Sequence, residues 1–111
     1  MKYLMFVCTD PEALPDETGE GTIDVEDWVG KYDGDGTRLI GDRTRPAEDA
    51  TIVRRRKGEL LVTDGPYSEG HDWIAGFDVL ECEDLDAAIA VAGEHPMAAG
   101  GRIELRPFWV D

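Results

Sequence analysis

A chain of 111 residues, 41% of them apolar, is long enough to bury one ordinary core, and the whole of 1–111 reads as a single domain. Its 25 acidic residues against 11 basic ones give a net charge of −14, which repels nucleic acid and anionic membrane surfaces and removes both from the expected partners. Two cysteines, Cys8 and Cys82, make no disulfide framework, and no apolar stretch has the length of a membrane span.

Residues 2–9, KYLMFVCT, form a nearly unbroken apolar run whose length and Tyr, Phe and Val content predict a strand. Continuous rather than alternating apolarity predicts that both of its faces are covered. The run is too short for a signal peptide, so a reduced, cytoplasmic protein is the expectation. Pro11, Pro15, Gly19, Gly21 and several acids make 10–23 a loop. Val25, Trp28, Val29 and Tyr32 share one helical face, which predicts a helix from Asp24 to about Asp35. Asp24, Glu26 and Asp27 complement its dipole, and Gly34 and Gly36 end it. Arg38–Asp42 reads as a short strand and Pro46–Asp49 as a turn. Thr51–Arg56, Lys57-Gly58 and Glu59–Thr63 read as strand, tight turn and strand, a β-hairpin. Trp73–Cys82 is a further strand. From Asp84 to about Gly93 runs the clearest helix, with Asp84 as N-cap and Leu85, Ala88, Ile89 and Ala92 on one face. His95-Pro96 stops it. In the last strand, Arg102–Val110, Ile103 and Leu105 alternate with Glu104 and Arg106.

With the inserted hairpin set aside, the order is βαββαβ, the ferredoxin-like plan of an α+β protein. Four antiparallel strands in the order 4-1-3-2 would carry both helices on one face. The apolarity of Tyr3–Cys8 predicts that the other face is not left wet. A second copy laid sheet to sheet is the simplest cover, so the expected partner is the chain itself, in a homodimer. This topology gathers Thr9, Asp10, Asp42, Asp64–Asp72, His95 and Arg102 at one rim and sends Cys8 and Cys82 to opposite ends.

Several segments carry a resemblance. They are the opening strand MKYLMF, the run Val62-Thr63-Asp64-Gly65-Pro66-Tyr67, the strand Gly76-Phe77-Asp78-Val79, the acidic, Ala-rich helix Asp84–Ala92 followed by Pro96, and the closing Gly101-Arg102-Ile103-Glu104-Leu105-Arg106-Pro107. In this order they resemble the YCII-related proteins, specifically the DGPF-domain subgroup. Tyr67 stands where Phe is usual, and His71 stands in a stretch that in many relatives reads Thr-Lys-Glu. The resemblance implies a ferredoxin-like dimeric α/β barrel. It brings no established reaction. A catalytic Asp with a nearby His, proposed among distant relatives, carries over only to Asp64.

Asp64-Gly65-Pro66 has a plain reading as a turn, since Asp starts turns, Gly permits unusual dihedrals and Pro fixes φ. The loop Asp64–Asp72 is longer than a hairpin connection needs, and such loops carry function more often. Shielded by Tyr67, Trp73 and a partner subunit, Asp64 would serve as a general base, with His71 as its acid or orienting partner. Gly65, Pro66, Tyr67 and Arg106 are the candidate substrate-binding residues. The plainer reading of Arg106 and Glu104 is a cross-strand salt bridge at the barrel or dimer interface, the sharper one Arg106 holding an anionic substrate. His95, at a helix C-terminus, is accounted for by the dipole. There is no metal-ligand spacing, Gly-rich phosphate loop, nucleophile elbow or C-x-x-C, so neither metal nor cofactor is expected. The expectation is a small protein that performs cofactor-independent proton transfer on a small organic molecule; the alternative is a non-catalytic ligand-binding or regulatory dimer. An Asp-rich surface with only 3 lysines also points to a salt-loving source, although a GC-rich genome would favour Arg over Lys as well.

Overall fold

The computed structural model describes residues 1–65 and 74–110. The elements are β1 (Lys2–Cys8), α1 (Val25–Gly34), β2 (Arg38–Arg43), a 3-10 turn (Ala47–Asp49), β3 (Thr51–Arg56), β4 (Glu59–Asp64), β5 (Ile74–Glu81), α2 (Leu85–Gly93), α3 (Met97–Gly100) and β6 (Arg102–Pro107). The main sheet has the order β2-β5-β1-β6, every neighbour antiparallel, which is the ferredoxin-like order expected from the sequence. β3 and β4 form a separate two-stranded sheet, with Val53 opposite Val62.

Two boundaries differ from the sequence reading. α2 stops at Gly93, ahead of His95-Pro96 as expected, but Pro96 also opens a further short helix, α3: Pro is tolerated in a first helical turn, and its carbonyl accepts from Gly100 N–H at 3.0 Å. The last strand ends at Pro107, where no N–H remains for the ladder, and Trp109 is 97% exposed.

The pleat sorts β1 into two faces. Tyr3, Met5 and Val7 point into the core with Leu80, Trp28, Tyr32, Ala88, Val91 and Ala92. Met5 sits between Asp78 and Leu105, and Val7 between Gly76 and Ile103. Trp28 is fully buried, and its indole Nε1–H donates to the Val91 carbonyl at 2.9 Å, so a ring of α1 is fixed to the backbone of α2. At the surface of the same contact, Glu94 accepts from Tyr32 Oη–H and from Lys31 Nζ. α2 begins with Asp84 accepting from Ala87 N–H at 2.9 Å, as expected of an N-cap. Asp24 makes no such side-chain bond at the start of α1.

The opposite face of the sheet carries Leu4, Phe6, Phe77 and Val79, all half-buried, with Ile40 and Ile74 exposed at its margins. No helix covers it among the described residues. Cys8 and Cys82 are buried, free and at opposite ends of the β1–β5 ladder. Burial pushes both thiols up, away from reactive thiolates.

Candidate functional site

Asp64 ends β4 opposite Thr51. Gly65 follows with φ +90°, the left-handed region that Gly enters freely, and its N–H donates to the Ala50 carbonyl at 2.7 Å. The Asp-Gly pair is thereby tied to the end of the 3-10 turn. The Asp64 carboxylate is exposed and makes no hydrogen bond among the described residues. Pro66, Tyr67 and His71 lie outside the described residues.

The chain re-enters β5 at Ile74, across from Cys8. Thr44 joins β2 to this point: its N–H donates to Ala75 O at 2.8 Å and its Oγ1–H to Ile74 O at 3.1 Å. Thr9, Thr44, Ala47, Glu48, Ile74 and Ala75 enclose much of a cleft of about 540 Å³ at this rim. One anchor of the loop is therefore bonded to Ala50, which follows the 3-10 turn whose Ala47 and Glu48 line the cleft, and the other, Ile74, lines it directly.

Arg106 stands elsewhere. It pairs with Leu4 on the helix-free face, its Nε 2.6 Å from Glu104 Oε2 and its guanidinium 5.8 Å from the Phe6 ring. Both members of that ion pair are exposed, so water screens it and it contributes little to stability. Of the residues expected to act together, Asp64 and Gly65 end β4 next to Thr51 and Ala50 and do not line the cleft, and Arg106 lies on the helix-free face.

Three residues matter more than the sequence reading allowed. Gly76, Asp78 and Leu80 point to the helix-covered side of β5, which places a carboxylate in the core. Arg38 answers it, Nε to Oδ1 at 2.7 Å, and also donates to Asp33 Oδ1 at 2.9 Å and to the Gly41 carbonyl at 2.8 Å. Burial pushes the Asp78 carboxyl up, and the guanidinium pulls it part of the way back. Strand alternation alone marks Asp78 as inward and in need of a cation. His95 is the third. Its expected role was as a cation at the end of α2, but it is only 6% exposed and stands edge-on to Trp28 with centroids 4.8 Å apart. Its Nδ1 accepts from Met97 N–H at 3.0 Å, so the ring is neutral with its proton on Nε2, and burial lowers its proton affinity further. The dipole reading of His95 is thus corrected: a desolvated ring that accepts a backbone N–H stays uncharged.

Among the described residues no three His, Cys, Asp or Glu side chains are grouped to hold a metal ion, and no helix is long and apolar enough to cross a membrane.

A four-stranded antiparallel sheet in this order, with helices on one side and a loop-flanked cleft at its rim, defines a ferredoxin-like α+β domain. The chain belongs to the YCII-related family, whose domain matches residues 1–110. It is similar to an uncharacterised protein of Rhizobium meliloti (strain 1021), 34% identical over 68 residues that cover 60% of this chain and 55% of the relative. The match thus spans little more than half the length of that curated relative.

Proposed function

We propose that this protein is a cytoplasmic homodimer of the DGPF-domain subgroup that binds a small organic molecule in the rim cleft and moves a proton on it, with Asp64 as the base. The observation that carries the reading is the placement of the loop's two anchors. Gly65 is bonded to Ala50, next to the turn that lines the cleft, and Ile74 lines it directly. A cleft of this size at the rim suits a small organic ligand. Among the described residues the Asp64 carboxylate makes no hydrogen bond, which suits a group that is to accept a proton. His71 is its proposed partner, Pro66 and Tyr67 its proposed neighbours at the ligand, and Arg106 the proposed anchor for an anionic group from the open face.

The homodimer is supported by Leu4, Phe6, Phe77 and Val79 on the helix-free face. A second copy would bury them sheet to sheet. Exposure of Asp64 in the single chain favours the second reading, a binding or regulatory dimer without turnover. Screening metabolites against the full chain by thermal shift, then comparing wild type with Asp64→Asn and His71→Ala, separates the two. Binding by all three proteins with product formed only by wild type supports the enzyme. Equal binding without product from any of them supports the binding module, and no ligand stabilising the wild type would end both readings.

A further inference from the structure

A second cavity of about 350 Å³ lies between the inner side of α1 and the β2–β5 edge of the sheet, and its lining shares only Ala75 with the rim cleft. Its walls are mostly apolar, with Val7 from β1, Trp28 and Val29 from α1 and Met97 from α3. Its size is that of pockets which enclose small organic molecules.

The polar groups at its walls narrow what it can hold. The Trp28 indole N–H is committed to Val91 O. Arg38 directs three donors at Asp78, Asp33 and the Gly41 carbonyl, so its charge faces two carboxylates. Asp42 and Arg43, also at the cavity, are of opposite sign. The walls therefore hold no surplus positive charge to attract an anion, and the chain as a whole repels one. His95 is different. Its Nδ1 accepts from Met97 N–H, which leaves an N–H on Nε2, and no described residue accepts from it. The ring lines the cavity, where this N–H can donate to a carbonyl-type oxygen of an occupant.

We propose that this cavity binds a small, uncharged, largely apolar molecule with one carbonyl-type acceptor, taken by the Nε2–H of His95, its body seated against Trp28, Val29 and Met97. The site is independent of the rim cleft and of Asp64. The edge-on arrangement of the Trp28 and His95 rings favours a flat occupant.

The test is a titration of the isotopically labelled full chain, followed by NMR, with three probes of one shape. Acetophenone has the ring and the carbonyl, benzoate adds a negative charge, and ethylbenzene lacks the acceptor. The expected result is saturable shifts at the Trp28 indole N–H and the His95 Nε2 with acetophenone, with affinity about tenfold above either comparator. His95→Leu should lower acetophenone to the level of ethylbenzene. Should that variant not fold, the wild-type comparison decides alone. Equal binding of acetophenone and ethylbenzene, tighter binding of benzoate, or no saturable shift at Trp28 and His95 overturns the proposal. Shifts confined to Thr44 and Ala47 would overturn it as well, while leaving the rim reading intact.

Discussion

Arg38 Nε stands 2.7 Å from Asp78 Oδ1, with the two side chains only 13% and 8% exposed. The pair joins edge strand β2 to β5 on the helix-covered side. Gly41 makes room for it: a Cβ there would lie 2.0 Å from Asp78 Oδ1 and 2.8 Å from Arg38 Nη2. Removing one partner of a buried pair leaves the other charge uncompensated. Arg38→Met should therefore cost about 3–5 kcal/mol in urea unfolding. Arg38→Met combined with Asp78→Asn should recover part of that loss. A double variant no more stable than Arg38→Met would mean that the stranded carboxylate is not the source of the cost.

Trp28 is the largest fully buried side chain among the described residues, and it links α1 to α2. Trp28→Ala should destabilise by about 3–5 kcal/mol through the cavity it opens. Trp28→Phe should cost less, since the ring volume is mostly kept and the Val91 carbonyl alone is stranded. Equal losses for the two variants, measured by urea midpoints, would show that the hydrogen bond rather than the volume dominates.

Stability should fall as the pH drops below 6.5. The unfolded chain there takes up a proton on His95 that the folded ring, held neutral by burial, refuses. The cavity it faces also carries Arg38, Asp42, Arg43 and Asp78. Asp78 acts with the opposite sign at lower pH: its raised carboxyl gains a proton more readily when folded, so its contribution grows as the pH falls toward 3.8. His95→Gln should flatten the slope of stability with pH just below 6.5, and an unchanged slope would remove His95 as its cause.

Phe6 lies at the middle of the helix-free face, opposite Phe77 and Glu104. Phe6→Asp should turn the proposed dimer into a soluble monomer, because a carboxylate at a buried sheet-to-sheet contact has no partner. Light scattering at micromolar concentration reads the change. A wild-type chain that is already monomeric there would end the sheet-to-sheet proposal.

Salt should stabilise the chain. A net charge of −14 on 111 residues strains the compact state by self-repulsion, and counterions screen it. The unfolding midpoint should rise between about 0.1 and about 1 M KCl, where the screening length falls from ~10 to ~3 Å. A flat or falling midpoint would count against a salt-loving source.

The elements of this protein were legible because each has a local cause. The apolar run of β1, the Trp28–Tyr32 face, the Lys57-Gly58 turn and the Asp84 cap act over a few residues, and the strand order follows from them once connections are short and antiparallel. Asp64-Gly65 was legible as a special turn for the same reason, since only a small set of residues accepts φ +90°. Pro96 marked the end of α2 but not the start of α3, because one φ serves both.

The state of each polar group, by contrast, was set by contacts across the fold. Sequence placed His95 at a helix end and a rim. Its contact with Trp28, 67 positions earlier in the chain, is what desolvates it, and its bond from Met97 is what sets its tautomer. Arg38 and Asp78 likewise meet across 40 positions of sequence. Helix and strand periods arise from neighbours along the chain, so the sequence carries them. Charge state, tautomer and pocket arise from neighbours in space, and those exist only once the sheet has brought α1, β2, β5 and α3 around one cavity.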